Sequence, residues 1–338
     1  MTLLALDIGG ANLKAADGRG YAAARYFPLW QRPERLAQAL SEMLAAAPPH
    51  RALAATMTGE LADCFTTKAE GVAAIVAALN EAAHGREVWI YLTDGRFVAP
   101  AEAIANPLLA AASNWHALAL FAGRHAPRGC GLLIDIGTTT SDIVPLVDGA
   151  PRAVGRTDPQ RLVAGELVYT GVERSPLCAI VRDLPWRGER CPVAQELFAT
   201  AWDAHLVLGN LPEEPDRRQT ADGRPATRSC ARDRLARAIC ADRTTFDEAD
   251  ALAAAHEVAE AQRRSIAAAA GKVVARLPSP PRTVVVSGRG EFLARRVAEG
   301  LQPGVEIVSL SKLLGEELSR CATAHALAAL AREALPPL

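Results

Sequence analysis

Residues Leu132–Leu146 read LLIDIGTTTSDIVPL, and a similar pattern occurs earlier, in Leu3–Ala16, as LLALDIGGANLKAA. In both stretches an apolar run ends in Asp-Ile-Gly and is followed by small or polar residues and a second apolar run. This pattern predicts two strands joined by a tight turn, with the aspartate at the carboxyl end of the first strand. Glycine lets such a turn approach a phosphate closely, so that free N–H groups face the anion. The two copies therefore predict two phosphate-binding turns.

The secondary structure predicted around the first turn is repeated around the second. In the first half we predict strands at Leu3–Ile8, Leu13–Ala16, Tyr21–Phe27, Ala52–Met57 and Val88–Leu92, and helices at Pro33–Ala47, Glu70–Ala83 and Ser113–Gly123. In the second half we predict strands at Gly131–Ile136, Ser141–Leu146, Ala153–Arg156, Thr283–Ser287 and Val305–Leu310, and helices at Asp158–Gly171, Pro192–Leu208, Ala231–Cys240, Phe246–Ala275, Glu291–Gly300 and Gly315–Ala334. Three strands followed by alternating helices and strands, occurring twice, indicate an internal duplication of an α/β unit.

The composition limits the class of protein and its partners. The 338-residue chain is long enough for two domains of ordinary size. Half of the residues are hydrophobic and 22% are charged, which is typical of a globular protein. The formal net charge of -1 provides no basic surface field, so neither nucleic acid nor an anionic membrane is expected as a partner. We expect small-molecule substrates, and a homodimer remains an open alternative.

The chain start and the cysteines bear on the compartment. The sequence does not open with the charged region and long apolar stretch of a signal peptide. None of its apolar runs is long enough to span a membrane. The seven cysteines are scattered, odd in number and lack a Cys-x-x-Cys pair, so no disulfide framework, zinc site or iron–sulfur site is expected. These features predict a cytoplasmic protein.

One long polar segment stands out in the second half. Residues Leu211–Arg228 read LPEEPDRRQTADGRPATR, which is polar and rich in proline. The segment is predicted to be a surface loop, and a lid over the site is the functional alternative.

Five motifs resemble those of the actin, heat-shock ATPase and sugar-kinase superfamily. Asp7–Lys14 (DIGGANLK) and Asp135–Asp142 (DIGTTTSD) resemble its first and second phosphate motifs, and Val284–Leu293 (VVVSGRGEFL) resembles its adenosine-side motif. Thr56–Glu60 and Cys321–Ala326 stand where its two connecting motifs belong. The resemblance implies an α/β fold of the duplicated actin-like (ribonuclease H-like) type, with two domains and a central cleft.

The order of the motifs gives expected domain boundaries. Residues 1–127 form the first actin-like domain, with a C-terminal helix at 315–334 that packs back on it. Residues 128–314 form the second, with a helical insertion and the loop at 211–228.

The predicted phosphate and metal residues follow from the same motifs. We expect phosphate to be bound by Gly9, Gly10, Asn12, Lys14, Gly137, Thr138, Thr139, Thr140, Ser287, Gly288 and Gly290. We expect Mg²⁺, which prefers carboxylates combined with phosphate oxygens and water, to be held by Asp7, Asp135 and Asp142.

The two turns are predicted to differ in chemistry. Aligning them puts Lys14 where Asp142 stands, and Asn12 where Thr140 stands. Lys14 is therefore expected to meet phosphate charge directly and to contribute to catalysis, while Asp135 and Asp142 hold the metal or its waters. The alternative is that Lys14 is a solvated lysine of a hairpin.

Other stretches carry a closer resemblance. They are TMTGELADCFTTKAEGV (56–72), YLTDGRF (91–97), SNW (113–115), LVAGELVYTGVERSPLCAI (162–180), QELFAT (195–200) and TADGRPATR (220–228). Together they resemble a hydantoinase-A-related family of methanogens and of methylotrophs that use tetrahydromethanopterin-linked one-carbon transfer. The resemblance implies a transferase of methanofuran biosynthesis, which joins an aminomethyl-furan methyl diphosphate to the phenol of γ-glutamyltyramine and releases diphosphate. The Ala- and Arg-rich composition favours the methylotroph branch, where a tyrosine-derived phenol is the alternative acceptor.

Such a reaction needs a base and an aromatic subsite. Glu60, just after the strand Ala52–Met57, is the first candidate to take the phenol proton, and Asp63 is the second. The alternative for Glu60 is a carboxylate that stabilises the start of a helix. Arg96, in a predicted turn, is a candidate substrate contact. Asn114 and Trp115 are candidates to frame an aromatic substrate, with core burial as the alternative for the indole.

Two other functions remain open at this point. The superfamily usually binds ATP, so an ATP-dependent small-molecule kinase or a hydantoinase/oxoprolinase-like hydrolase is the main alternative, with ATP as an additional cofactor. A nucleotide switch like actin is the third, and the absence of polymerisation insertions counts against it. Turnover without ATP distinguishes the transferase from the others.

Overall fold

The computed structural model describes residues 2–336 of the chain. Within them, the first half contains β1 (Leu3–Ile8), β2 (Asn12–Ala16), β3 (Ala22–Tyr26), α1 (Leu36–Ala45), β4 (Ala52–Met57), α2 (Lys68–Ala83), β5 (Glu87–Tyr91), β6 (Phe97–Val98), α3 (Pro100–Ala105), α4 (Pro107–Ala110) and α5 (Asn114–Ala122). The second half contains β7 (Cys130–Ile136), β8 (Ser141–Val147), β9 (Ala150–Pro151), α6 (Asp158–Ala164), β10 (Leu167–Val168), α7 (Leu177–Ile180), β11 (Asp183–Trp186), β12 (Glu189–Pro192), α8 (Ala201–Val207), α9 (Arg228–Arg237), α10 (Glu248–Val274), β13 (Thr283–Ser287), α11 (Glu291–Glu299), β14 (Glu306–Ser309), α12 (Leu310–Leu314), α13 (Glu316–Arg320) and α14 (Ala322–Ala334). Two short 3-10 helices lie at Pro33–Arg35 and Gly123–His125.

The two main sheets have the same strand order. The first runs β3-β2-β1-β4-β5-β6, and the second runs β10-β8-β7-β13-β14, with β9 also paired to β8. In each, an antiparallel hairpin (β1–β2 or β7–β8) is followed by two parallel strands, because β1 pairs in parallel with β4, and β7 with β13. This repeat confirms the duplicated actin-like, ribonuclease H-like α/β fold predicted from the sequence.

The central strands are apolar because helices cover both faces of each sheet. Every residue of β1 and β4 is buried, as is every residue of β13, and continuous apolar runs are typical of strands buried on both faces. Helices α1 and α2 cover one face of the first sheet. Helices α5 and α14 cover the other, where Leu327 and Ala328 join a cluster with Leu3, Ala5 and Tyr91. Small alanine side chains let α14 lie close to the strands.

The second half carries additional structure between β10 and β13. The hairpin β11–β12 and helices α8 and α9 pack on the first half of α10 in a core of their own. The polar segment at 211–228 is a loop, as predicted. It is held against the second half by ion pairs, including Arg217 to Glu173 at 2.6 Å and Arg224 to Asp233 at 2.9 Å.

Most predicted elements are confirmed to within a few residues, but four in the second half are wrong in part. Three of these errors are small. The third strand is not at 153–156, since the short β9 precedes it. The helix starting at Asp158 ends at Ala164, because Gly165 adopts the left-handed conformation that terminates helices (φ +74°). The helix at 315–334 is interrupted at Cys321, between α13 and α14.

The helix predicted at 192–208 is the largest error. Pro192, where the predicted helix begins, is the last residue of the β11–β12 hairpin. The turn of this hairpin contains Arg187 and Gly188, both with positive φ. The helix α8 begins only at Ala201, where Thr200 and Asp203 form a reciprocal capping box. The two short helices α3 and α4, each with proline in its first turn, were not predicted.

No helix in the part of the chain that the structure describes combines the length and the apolar character needed to cross a membrane.

Candidate functional site

A cavity of about 410 Å³ lies between the two sheets, where the carboxyl ends of β1, β4 and β7 meet. Both halves contribute to its wall. Of the predicted site residues, the cavity brings together Asp7, Gly9, Gly10, Asn12, Lys14, Glu60, Asp63, Asn114, Trp115, Asp135, Gly137, Thr138, Thr139, Thr140 and Asp142. It is also lined by residues that were not predicted, among them Leu61, Asp158, Arg161, Tyr169 and Arg174.

The two turns predicted to bind phosphate have the same backbone geometry. The Gly9 N–H donates to the carbonyl of Asn12 at 3.0 Å, and the Gly137 N–H donates to the carbonyl of Thr140 at 2.9 Å. In the first hairpin Asp7 pairs with Lys14, and in the second Asp135 pairs with Asp142. The predicted alignment, with a lysine where the other half has an aspartate, is therefore confirmed by the register.

The third motif lies behind the second turn rather than in the cavity wall. The Gly290 N–H donates to the carbonyl of Ile136 at 2.8 Å. A Cβ on Gly288, whose φ is +90°, would lie 2.3 Å from the Ile136 carbonyl oxygen and 2.8 Å from Oδ1 of Asp135. Ser287, Gly288 and Gly290 thus pack against the end of β7, and none of the three is among the residues that line the cavity.

A segment that sequence reasoning missed supports the second turn from the other side. The backbone N–H groups of residues 172–174 donate to the carbonyls of Gly137 and Thr138 at 2.9–3.1 Å. Gly171 makes this approach possible, since a Cβ there would lie 2.4 Å from the Thr139 nitrogen. The segment lies in the stretch TGVERS, which has no helix or strand periodicity to reveal it.

The first turn carries an ion pair between the partly exposed Lys14 and the buried Asp7. Nζ of Lys14 lies 3.6 Å from Oδ2 of Asp7. Burial raises the pKa of Asp7, although Lys14 opposes the rise, and its Oδ1 has no hydrogen-bond partner. Burial lowers the pKa of Lys14, but the charges of Asp7, Cys321 and Asp135 together outweigh burial, so the net pKa is raised. Lys14 is therefore a charged, partly exposed residue of the cavity wall.

The second turn holds the other two carboxylates. Burial, together with the neighbouring charge of Asp142, raises the pKa of Asp135 to about 6. Within residues 2–336, no three His, Cys, Asp or Glu side chains are arranged to hold a metal by themselves. Mg²⁺ commonly binds through one or two carboxylates completed by phosphate oxygens and water. The unpaired oxygen of Asp7 and the carboxylate of Asp135 fit that donor set.

Arg161 is the main site residue that the sequence did not reveal. This nearly fully buried side chain donates from Nη1 to Oδ1 of Asp142 at 2.8 Å and from Nη2 to the Glu166 carbonyl at 2.9 Å. Its guanidinium lies 4.0 Å from the centre of the Trp115 ring, across the cleft. Burial raises the pKa of Asp142 while Arg161 opposes the rise. Trp115 is thus both buried and part of the cavity wall.

Glu60 lies in the turn after β4, with only 1% of its surface exposed. Burial raises its pKa to about 7, with Lys68 opposing and Asp158 adding to the rise. Nζ of Lys68 lies 3.8 Å from Oε1 of Glu60 and donates to Oδ2 of Asp158 at 2.5 Å. Because α2 begins at Lys68 with Thr67 as its cap, Glu60 is not a helix-start carboxylate.

The Lys68–Asp158 pair joins the two halves. Lys68 opens α2 of the first half, and Asp158 opens α6 of the second. Asp63 also lines the cavity and is exposed.

Arg96 is away from this site. It is exposed, pairs with Asp94 at 2.9 Å and with Glu102 at 2.6 Å, and is not among the lining residues. The structure therefore does not bring Arg96 together with the other predicted site residues, because the turn that carries it folds back on α3. The described residues of the loop 211–228 do not line the cavity either.

Comparisons with known proteins extend over nearly the whole chain. The sequence model of the hydantoinase/oxoprolinase family matches residues 51–334. The (4-{4-[2-(gamma-L-glutamylamino)ethyl]phenoxymethyl}furan-2-yl)methanamine synthase of Methanocaldococcus jannaschii is 31% identical over 336 residues, covering 98% of each chain. The same synthase of Methanococcus vannielii is 28% identical over 201 residues, covering 59% of this chain and 89% of that protein. An archaeal actin homologue of known structure is 11% identical with a TM-score of 0.43, covering 98% of this chain and 100% of that one. The assignment of the fold rests on the strand order of the two sheets.

Proposed function

Because the chain belongs to the hydantoinase/oxoprolinase family, we propose that it is a transferase of methanofuran-type cofactor biosynthesis. The reaction joins an aminomethyl-furan methyl diphosphate to the phenol of a glutamyltyramine, tyramine or tyrosine derivative and releases diphosphate. The observation that carries the proposal is the end-to-end relation to a synthase whose named product contains a phenoxymethyl-furan ether. The cavity between two phosphate-type turns is consistent with it.

The bond changes define what the site must do. The phenol oxygen forms a bond to the furanyl methylene carbon, and the bond from that carbon to the diphosphate oxygen breaks with its electron pair. The phenol proton passes to a base. Charge therefore develops on the diphosphate, and stabilising such charge is usually the largest catalytic contribution.

The two turns are suited to bind the leaving group. Backbone N–H groups of both turns, together with Lys14, would face the diphosphate from the two halves. Asp7 and Asp135 would hold Mg²⁺, which when bound neutralises the developing charge. In this scheme Asp142 orients Arg161 through their 2.8 Å hydrogen bond, so that the guanidinium adds a second cation near the anion.

Glu60 is the proposed base. Glu60 is among the residues that line the cavity from the first half, and its pKa of about 7 lies near the working pH expected of a general base. Asp63, in the same turn region, is the second candidate.

The cysteines bear on the proposed cellular location. All seven are free thiols, although the odd number alone would allow disulfides. Free thiols are typical of a reducing compartment, which supports a cytoplasmic location.

The test is the reaction without nucleotide. The purified chain is incubated with the furan diphosphate, a tyramine or tyrosine derivative and Mg²⁺, and the ether and diphosphate are measured by mass spectrometry. We expect both products in equal amounts. Ether that forms only with ATP, or ATP consumption without ether, would reject the transferase in favour of an ATP-dependent kinase or hydrolase.

A further inference from the structure

Two large side chains with apolar surface stand exposed in the cavity wall, whose other lining residues are polar or are buried or small apolar ones. Leu61 is 60% exposed and Tyr169 is 68% exposed, and both line the cavity. One comes from each half of the molecule. Exposed apolar residues are common when scattered singly, but a pair that faces one cavity from both halves is a feature of the site.

Tyr169 is held on a fixed backbone. The preceding residues pair with β8, with Leu167 opposite Asp142. The next residue, Thr170, is buried, and its hydroxyl accepts from Nε2 of Gln262 at 2.8 Å. Gly171 then packs against the second phosphate turn. The exposed ring is therefore not at a loose loop tip, since its neighbours on both sides are anchored beside the anion site.

Leu61 is placed next to the candidate base. It follows Glu60 directly, in a tight turn closed by the Ala62 N–H, which donates to the Gly59 carbonyl at 3.0 Å. The backbone of this turn places Glu60 in the protein interior and leaves Leu61 exposed. Leu61 therefore presents an exposed apolar side chain to the cavity directly beside the candidate base in the chain.

We propose that Leu61 and Tyr169 form the subsite that binds the aromatic ring of the acceptor, one from each side of the cleft. The inference rests on the proposed function and adds the residues that recognise the acceptor. An aryl ring between a leucine and a tyrosine buries apolar surface and gains an aromatic contact. The diphosphate substrate, in contrast, is bound by the polar turns deeper in the cavity. The two substrates therefore depend on different residues.

The variants are chosen so that folding is not at issue. Tyr169→Ala and Leu61→Ala remove exposed side chains, and Tyr169→Phe keeps the ring. Val163→Ala is the matched control, since Val163 is 85% exposed, also in the second half, and is not among the lining residues. The KM of each substrate is measured with the full-length chain, and binding of the tyramine derivative alone is measured by calorimetry.

We expect Tyr169→Ala and Leu61→Ala to raise the acceptor KM on the order of 10-fold, with the furan diphosphate KM nearly unchanged. Tyr169→Phe and Val163→Ala should remain near wild type. An acceptor KM that responds no more to Tyr169→Ala than to Val163→Ala would overturn the subsite, as would equal rises for both substrates. Calorimetry decides the subsite even if the wild type forms no ether. Weaker phenol binding in Tyr169→Ala supports the subsite, while unchanged binding, or no binding by the wild type, rejects it.

Discussion

Lys68→Met and Asp158→Asn should move the pH dependence of ether formation in opposite directions. Lys68 is shared between Glu60 of its own half and Asp158 of the other. If Glu60 is the base, kcat/KM increases with pH through the pKa of that carboxyl, about 7. Removing Lys68 takes away the cation that favours the charged form and leaves the repulsion of Asp158, so the pKa of Glu60 should rise. Neutralising Asp158 removes the repulsion and leaves Lys68 to interact with Glu60 alone, so the pKa of Glu60 should fall.

The distance of 3.8 Å from Lys68 Nζ to Glu60 Oε1 sets the scale. Two unit charges at that distance interact by about 4 kcal/mol at an effective dielectric constant near 20, which is an upper limit equal to about three pH units. Lys68 is partly exposed and lies closer to Asp158, so the attraction available to Glu60 is smaller. We therefore expect the acidic limb of the profile to move up by about 1–2 pH units in Lys68→Met and down by a smaller amount in Asp158→Asn.

The assay is kcat/KM for ether formation between pH 5 and 9, with Lys68→Arg as the control that retains the charge. Both variants break the same ion pair between the halves, so a purely structural defect would lower the activity of both without separating their limbs. If the acidic limbs of Lys68→Met and Asp158→Asn move in the same direction, or do not move, the electrostatic reasoning is refuted, and with it the role of Glu60 as the base.

Three other predictions concern metal, packing and stability. Asp135→Asn should weaken Mg²⁺-dependent diphosphate binding by about 1–3 kcal/mol, the scale of a lost charge-assisted contact, and equal affinities in calorimetry would contradict the metal assignment. Gly171→Ala should cost about 1–3 kcal/mol of unfolding free energy, because its Cβ would lie 2.4 Å from a backbone nitrogen, whereas Gly271→Ala, with open space in the helix α10, should gain about 0.5–1 kcal/mol. Chemical denaturation measures the unfolding free energy of both variants. Similar changes in the two would show that the close approach of Gly171 to the second turn is not a constraint. Glu60→Gln should stabilise the protein more at pH 8 than at pH 5: a carboxyl whose pKa is raised from 4.5 to about 7 is protonated when folded at pH 5 but is buried as an anion at pH 8, at a cost of up to about 3 kcal/mol. A gain in Tm that is no larger at pH 8 would argue against the raised pKa.

The fold and the two turns could be predicted because their signals are local. A buried strand, Asp-x-Gly and a second strand occupy about a dozen residues, and their repetition at Asp7 and Asp135 shows the duplication directly. The hydrogen bonds from Gly9 to Asn12 and from Gly137 to Thr140 lie within those same stretches.

The ion pairs of the site could not be predicted, because their partners meet only in the folded chain. Nothing in the sequence near Lys68 points to Asp158, ninety residues later. The pair of Asp142 with Arg161 likewise depends on α6 ending at Gly165, the point where the predicted helix was extended too far. Arg96 shows the converse case: a polar residue after a strand was expected at the site, but its turn folds away from the cavity.

The packing of α14 on the first sheet affects the order in which the molecule can be completed. All strands of that sheet lie within Leu3–Val98, yet Leu3 and Ala5 are covered by Leu327 and Ala328. The second sheet has a similar dependence, because Gly131 of β7 pairs with Thr283 of β13. During synthesis one apolar face of the first sheet therefore stays without α14 until residues up to Ala334 have left the ribosome. Both halves are therefore completed late and at nearly the same time. A chain interrupted before α14 exposes an apolar sheet face, the kind of surface that chaperones bind.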